Sequence, residues 1–489
     1  MWYGVSSILA RLLNYLLIIV HGKVFLREEY GIITNLYAYT AFFLVLCTFG
    51  METAFFRFAS KRRDQKEHVF TQANTFVVLI SIIVTGFIFL NSQLLANYLG
   101  YPDQAYLISM LAIIIFIDAV VAIPFAQLRL DNRPKYFALI RMASIGMQIV
   151  LNLIFLLVFP AISKGAYLTF LQPLVNQLYY PDFGVGYVFL ANLLGNSLLL
   201  VFLGKYLLKI RFKFDWELLK PMLIYAFPIL ITGFSGMTNE YLDKILLPNL
   251  LPDDFYPDQN SQQALGVYGA VYKLSVFMLL AIQAFRYAAE PFFFSNAEDK
   301  AAPNLFARVM YYFVLVNLII YVGVILNMNL IASIFLQNPL YHAGLFVVPF
   351  LLTGKLLFGI YINLSIWFKL TSKTYYGTYF SILGAVVTII GNILLIPILG
   401  YLGSAITLIL CYLTMSAVCY YYGQKNFYIP YNVKKIFLQI AIAIIFSLVI
   451  YNIKFGNTLL EYALGIIATL VYIGYLVFTE KDKVMKKTL

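Results

Sequence analysis

Apolar residues run along this chain in long blocks, broken by short stretches of charge, proline and glycine. Blocks of about 18 or more apolar residues match the length a helix needs to cross a hydrocarbon core of roughly 30 Å. Read this way, the pattern predicts fourteen spans near 2–21, 30–56, 69–98, 105–128, 137–160, 184–204, 219–242, 265–289, 305–327, 344–366, 377–397, 401–422, 435–453 and 459–478. A membrane β-barrel would instead show strands of about ten residues alternating apolar and polar positions, and that period is missing. The expected fold class is therefore an all-α integral membrane protein of about 14 transmembrane helices.

Composition agrees. Of 489 residues 62% are hydrophobic and 11% charged, against about 25% charged in soluble domains. The first apolar stretch carries Arg11 and Asn14 with no small-residue cleavage site after it, which reads as a span and not a cleavable signal. Cys47, Cys411 and Cys419 all fall inside apolar blocks, so neither a disulfide framework nor a metal centre is expected, and no cofactor.

The net charge of +12 could suggest a nucleic-acid partner. Its distribution points to topology instead, and no nucleic acid is expected. With the N-terminus placed in the cytoplasm, 25 of the 34 Lys and Arg residues fall in inside connections or the C-terminal tail. Outside connections hold only Lys23, Arg27, Lys164 and Lys454. This asymmetry obeys the positive-inside rule and sets both termini in the cytoplasm. No connection is long enough for a soluble catalytic domain. The basic stretch KYLLKIRFKFDWELLK (205–220) reads as an interfacial helix joining two halves.

The chain repeats itself at an offset near 240. LRLDNRPKY (128–136) lies opposite FKLTSKTYY (368–376), and VLNLIF (150–155) opposite IGNILL (390–395), with Asn152 opposite Asn392. With a drift of a few residues, YGIITNLYAY (30–39) matches LGVYGAVYKL (265–274), and Arg57 falls opposite Arg286. The correspondence is parallel, six spans to six. It predicts an N-terminal lobe over 1–212 and a C-terminal lobe over 213–430, related by a pseudo-two-fold axis along the membrane normal. Residues 431–489 add two further spans and a basic tail.

With EEYGIITNLYAY (28–39), GMETAFFRFASKRR (50–63), the LDK of 242–244 and LGVYGAVYKL (265–274), the whole chain resembles the polysaccharide-export branch of the multidrug/oligosaccharidyl-lipid/polysaccharide exporter superfamily. The resemblance implies a flippase of a bacterial inner membrane. Its substrate would be an oligosaccharide on an undecaprenyl-pyrophosphate anchor, with membrane lipids around it, H+ or Na+ as coupling ion and a polysaccharide polymerase as partner. It implies a transporter, not an enzyme.

Ionisable groups inside spans mark aqueous pathways or buried pairs. Arg11, Lys273 and Lys355 lie too deep to reach headgroups, and they are the first candidates for gripping a pyrophosphate. Arg57 and Arg286 near inside ends are further candidates, although snorkelling explains both equally. Lys244 is expected to pair with Glu240 one turn earlier. Glu52 and Asp118 are candidate ion-coupling acids, with pairing of Glu52 to Arg11 as the plainer alternative. Tyr15 and Tyr37 are candidates to face the sugar. Two other readings compete. A cation-coupled drug extruder should line its cavity with acids, whereas the deep charges here are mainly basic. A polymerase or ligase should display a reactive set, but His21, His68 and His342 are scattered.

Overall fold

In the computed structural model the backbone is described for residues 2–211, 214–299 and 301–485, and the side chains of 2–8, 10, 11, 14, 63 and 481–485 fall outside the description. Among the described residues fourteen long helices appear: α1 (Trp2–Val24), then α2 (Arg27–Lys61), α3 (Lys66–Leu90), α4 (Pro102–Leu130), α5 (Pro134–Ser163), α6 (Gly186–Leu207), α7 (Trp216–Leu250), α8 (Ser261–Ser295), α9 (Ala302–Leu326), α10 (Pro339–Leu370), α11 (Tyr375–Leu399), α12 (Tyr401–Asn426), α13 (Val433–Tyr451) and α14 (Thr458–Glu480). Each matches one expected span to within several residues. The thirteen from α2 onward are long and apolar enough to cross a membrane; in α1 only the apolar stretch Tyr15–Val24 is counted among the described residues.

Several helices break where local chemistry demands it. In α2 two consecutive residues, Phe49 and Gly50, adopt left-handed backbone angles and redirect the segment Met51–Lys61. Only glycine suits the second position: its φ is +69°, and a Cβ there would sit 2.8 Å from the Ala226 carbonyl of α7. In α4 the helix is interrupted at Val121, because Pro124 offers no N–H to the Val120 carbonyl. Pro160 acts likewise on α5, which widens into a π turn over Ile154–Val158. In α8 a 3-10 turn, Lys273–Ser275, interrupts the span, and the Ser275 hydroxyl donates to the Tyr272 carbonyl at 2.7 Å.

By packing, the chain forms two compact units, Met1–Ile245 and Leu246–Leu489. The repeat begins its second half before α7. Most of α7 nevertheless packs in the first unit, with Leu218, Leu219, Met222 and Ala226 sharing a core with Met51 and Phe55 of α2 and Val69 and Phe70 of α3.

Among the described residues of 205–220, the expected interfacial helix is not present as one element. Helix α6 ends at Leu207 and α7 starts at Trp216, and the chain between them is tied to α3. The backbone N–H of Arg211 donates to Thr75, and that of Asp215 to Gln72. Asp215 caps α7 by accepting from the N–H groups of Glu217 and Leu218. A hydrogen bond with His68 holds the Asp215 carboxyl below the usual carboxylate range.

The repeat recurs in contacts. Asn152 and Asn392 are both buried, and each donates to the carbonyl four residues earlier at 2.8 Å. In the first unit Arg129 of α4 pairs with Glu52 of α2 at 2.6 Å. In the second, Lys369 of α10 pairs with Glu290 of α8 at the same distance.

Candidate functional site

In the first unit the candidate acids part ways. Glu52 is half-exposed and bound by Arg129, whose guanidinium also lies 5.1 Å from the centre of the Phe56 ring. Arg129 is thus a cation that Glu52 takes in this structure; the pairing expected with Arg11 lies outside the described residues. Asp118, inside α4, is reached by a directed chain of amides. Gln148 of α5 donates to Asn196 of α6 at 2.7 Å, and Asn196 donates to the Asp118 carboxylate at 2.9 Å.

This chain of donors orients the Asp118 carboxylate. Close helix approach makes it possible: at Gly195 a Cβ would fall 2.3 Å from the Gln148 side chain. One turn further along α5, the Asn152 oxygen lies 3.1 Å from the His21 Nε2 of α1. Ser144, Gln148 and Asn152 therefore form one polar stripe, spaced four residues apart in an otherwise apolar span. That spacing was the signal in the sequence, and the acids drew attention away from it.

Other candidates in this unit have partners of their own. Arg57 is exposed and stacks on Tyr225 of α7, 4.2 Å from the ring centre. The Tyr37 hydroxyl accepts from Asn192 at 2.7 Å, and its ring stacks on Phe189, so it is turned into the unit. Lys244 is buried, and the acid bound to its ammonium is Asp243 at 3.0 Å. Glu240 contributes its backbone carbonyl at 2.9 Å.

In the second unit Lys355 of α10 is fully buried. Its ammonium donates to the Tyr272 hydroxyl of α8 at 2.7 Å. Lys273 follows directly at the 3-10 turn and is partly exposed. The structure thus gathers two of the three deep candidates around one helix break. Rings continue from there: Tyr272 packs edge-on to Tyr268, which stacks with Tyr401, which in turn stacks on Tyr256 in the connection after α7. Arg286 is largely exposed and pairs with Glu290 at 3.6 Å, the spacing of four residues expected for a helical ion pair. Tyr272 and the pair Lys369–Glu290 were not singled out in the sequence. Among the described residues no group of three or more His, Cys, Asp or Glu could hold a metal ion.

Comparison with known proteins gives a consistent picture. The family model for polysaccharide biosynthesis proteins matches residues 1–297. No curated protein sequence matches the chain. Among solved structures, the chain is similar to the lipid II flippase MurJ in an inward closed conformation, at 16% identity and a TM-score of 0.74, over 99% of each chain. It is also similar to an inward-facing multidrug resistance MATE family transporter of the MOP superfamily, at 14% identity and a TM-score of 0.63, over 88% of this chain and 96% of that one. A further match, at 13% identity and a TM-score of 0.56 over 86% and 94%, is a MOP superfamily transporter from Pyrococcus furiosus described as having a binding pocket of reversed polarity. At these identities the likeness establishes a shared fold.

Proposed function

Because the chain belongs to the polysaccharide biosynthesis protein family, we propose that it is a flippase for undecaprenyl-pyrophosphate-linked oligosaccharide, working by alternating access in a bacterial inner membrane. The cytoplasmic termini follow from the charge asymmetry. The observation that supports the reading is a pair of lysines at a helix break of the second unit. Lys355 is enclosed on Tyr272, and Lys273 stands beside it at a break in α8.

A pyrophosphate carries about two negative charges and is held by Arg forks or Lys point charges. Lys273 is the more accessible of the pair and would take the phosphate directly. Lys355 has no exposed surface in this state, so it would act through Tyr272 until the helix break shifts. Arg11, Arg57 and Arg286 would add positive charge from their own helices. Asp118 on its amide chain is the better placed coupling acid for H+ or Na+, because Glu52 is already committed to Arg129. A polysaccharide polymerase would consume the exported unit. A drug extruder would hold cationic compounds on acids, whereas among the described residues the buried charged side chain of the second unit is Lys355.

The test is flipping in reconstituted vesicles. Lys273→Ala should lower the rate at least about tenfold, the loss expected when roughly 1.4 kcal/mol of binding is removed, while Lys273→Arg retains most of it. An alanine variant that inserts normally and flips at the parent rate would sink the assignment.

A further inference from the structure

The connection from α5 to α6, residues 164–185, contains no Asp, Glu, Lys or Arg from Gly165 through Pro181. It nevertheless exposes Tyr167, Leu168, Phe170, Leu174, Leu178 and Tyr180, with Phe170 75% accessible. Its polarity is reversed relative to an element bathed in water. The short helix Gln172–Leu178 turns two amides back on the end of α5. There Gln172 donates to the Ser163 carbonyl at 2.9 Å, and the Ser163 hydroxyl donates to Asn176 at 2.8 Å.

Val175 is the buried anchor. Behind it, Tyr179 stacks on Tyr187, and the Tyr187 hydroxyl accepts from the Tyr180 N–H at 2.8 Å. Phe170, Leu174 and Leu178, four residues apart, are left facing outward.

The connection after α7 shows what a watery segment looks like at the same expected side. Residues 251–260 carry Asp253, Asp254 and Asp258 with Pro252 and Pro257, all exposed. The apolar outer face of α5, with Leu139, Met147, Val150 and Leu153 exposed, runs along the chain toward the uncharged connection. We infer that residues 165–181 form a foot that lies in the headgroup and acyl boundary of the extracytoplasmic leaflet, with Phe170, Leu174 and Leu178 immersed in lipid. Tyrosine at headgroup depth and an apolar face in the acyl boundary are the signature of an interfacial element. The inference rests on exposure and polarity and not on the transported substrate.

Site-directed spin labelling tests it. Phe170→Cys and Leu174→Cys, with Asp254→Cys as the aqueous reference, are made in a full chain whose buried Cys47, Cys411 and Cys419 are replaced by serine. The labelled proteins are reconstituted into phosphatidylethanolamine/phosphatidylglycerol vesicles. Collision with oxygen relative to a water-soluble nickel chelate should be several-fold higher at 170 and 174 than at 254. Equal nickel access at all three positions overturns the inference, because the foot is then in water. Low access to both reagents at 170 and 174 also overturns it, because a second protein copy then covers the face. If Phe170→Cys disturbs folding, Leu178→Cys gives the same reading from the same face.

Discussion

Asp118 and Lys355 stand on corresponding helices of the repeat, α4 in the first unit and α10 in the second, and both are gripped by neighbouring helices. Their chemistry is opposite. The carboxylate is served by amides from α5 and α6, and the ammonium by a phenol from α8. Around them the scaffold repeats with the same sign: Arg129 with Glu52 and Lys369 with Glu290, Asn152 and Asn392 each on its own helix. What the duplication holds constant is packing. What it has let diverge is the charge of these two interior groups, and under the proposed function the two signs would serve two tasks, a small cation for one and a phosphate for the other.

The sharpest way to break this comparison is to remove the second unit's charge. Replacing a buried charge by an apolar side chain of similar volume is often neutral or stabilising by about 1–4 kcal/mol. Lys355→Met should therefore keep or raise the melting temperature and abolish flipping, read in parallel by a thermal melt and a vesicle assay. A loss of stability with normal flipping in the surviving protein would make Lys355 purely structural.

Next in size is Asp118→Asn, which keeps the shape and removes the charge. Flipping should continue but lose its several-fold response to an imposed proton or sodium gradient, measured in vesicles with each gradient collapsed in turn. An unchanged response would remove Asp118 from coupling.

Smaller effects should come from the repeated scaffold pairs. Arg129→Gln and Lys369→Gln act on half-exposed ion pairs, so each should cost about 1 kcal/mol or less. Melting should fall by similar small amounts in both, with the gradient response intact. Unequal losses would show that the two pairs are not equivalent.

Smallest is the cap on α7. The folded Asp215 carboxyl titrates below its ordinary value, so its contribution is present at neutral pH and is lost only as pH falls through that lowered value. Amide exchange in the first turn of α7 should stay slow at neutral pH and quicken in strong acid. Asp215→Asn should lose that acid dependence.

The fold was largely legible because an apolar block of membrane length leaves few alternatives. Helix breaks were legible only in part. Pro124 and Pro160 lie at breaks, yet Pro228 and Pro397 sit inside continuous helices, and the turn at Phe49–Gly50 depends on the approach of α7, which no local pattern reveals. Site residues divide the same way. Deep cations stand out one at a time, so Lys273 and Lys355 could be picked from the chain. Their partners belong to other helices, and neither Tyr272 nor Arg129 can be assigned to an ion until the neighbours are known. The interfacial helix expected at 205–220 rests on an amphipathic pattern that counts residues, whereas Thr75 and Gln72 accept from the backbone N–H groups of Arg211 and Asp215 there.

The central claim, that this chain carries a lipid-linked sugar on a pyrophosphate, is tested most directly by the purified protein alone in vesicles. One leaflet is loaded with a fluorescent undecaprenyl-pyrophosphate oligosaccharide, and arrival in the other is read with a membrane-impermeant quencher, beside a parallel assay for uptake of a cationic dye. The account predicts protein-dependent transfer of the lipid-linked sugar and no dye transport. Dye transport without movement of the sugar lipid would contradict it.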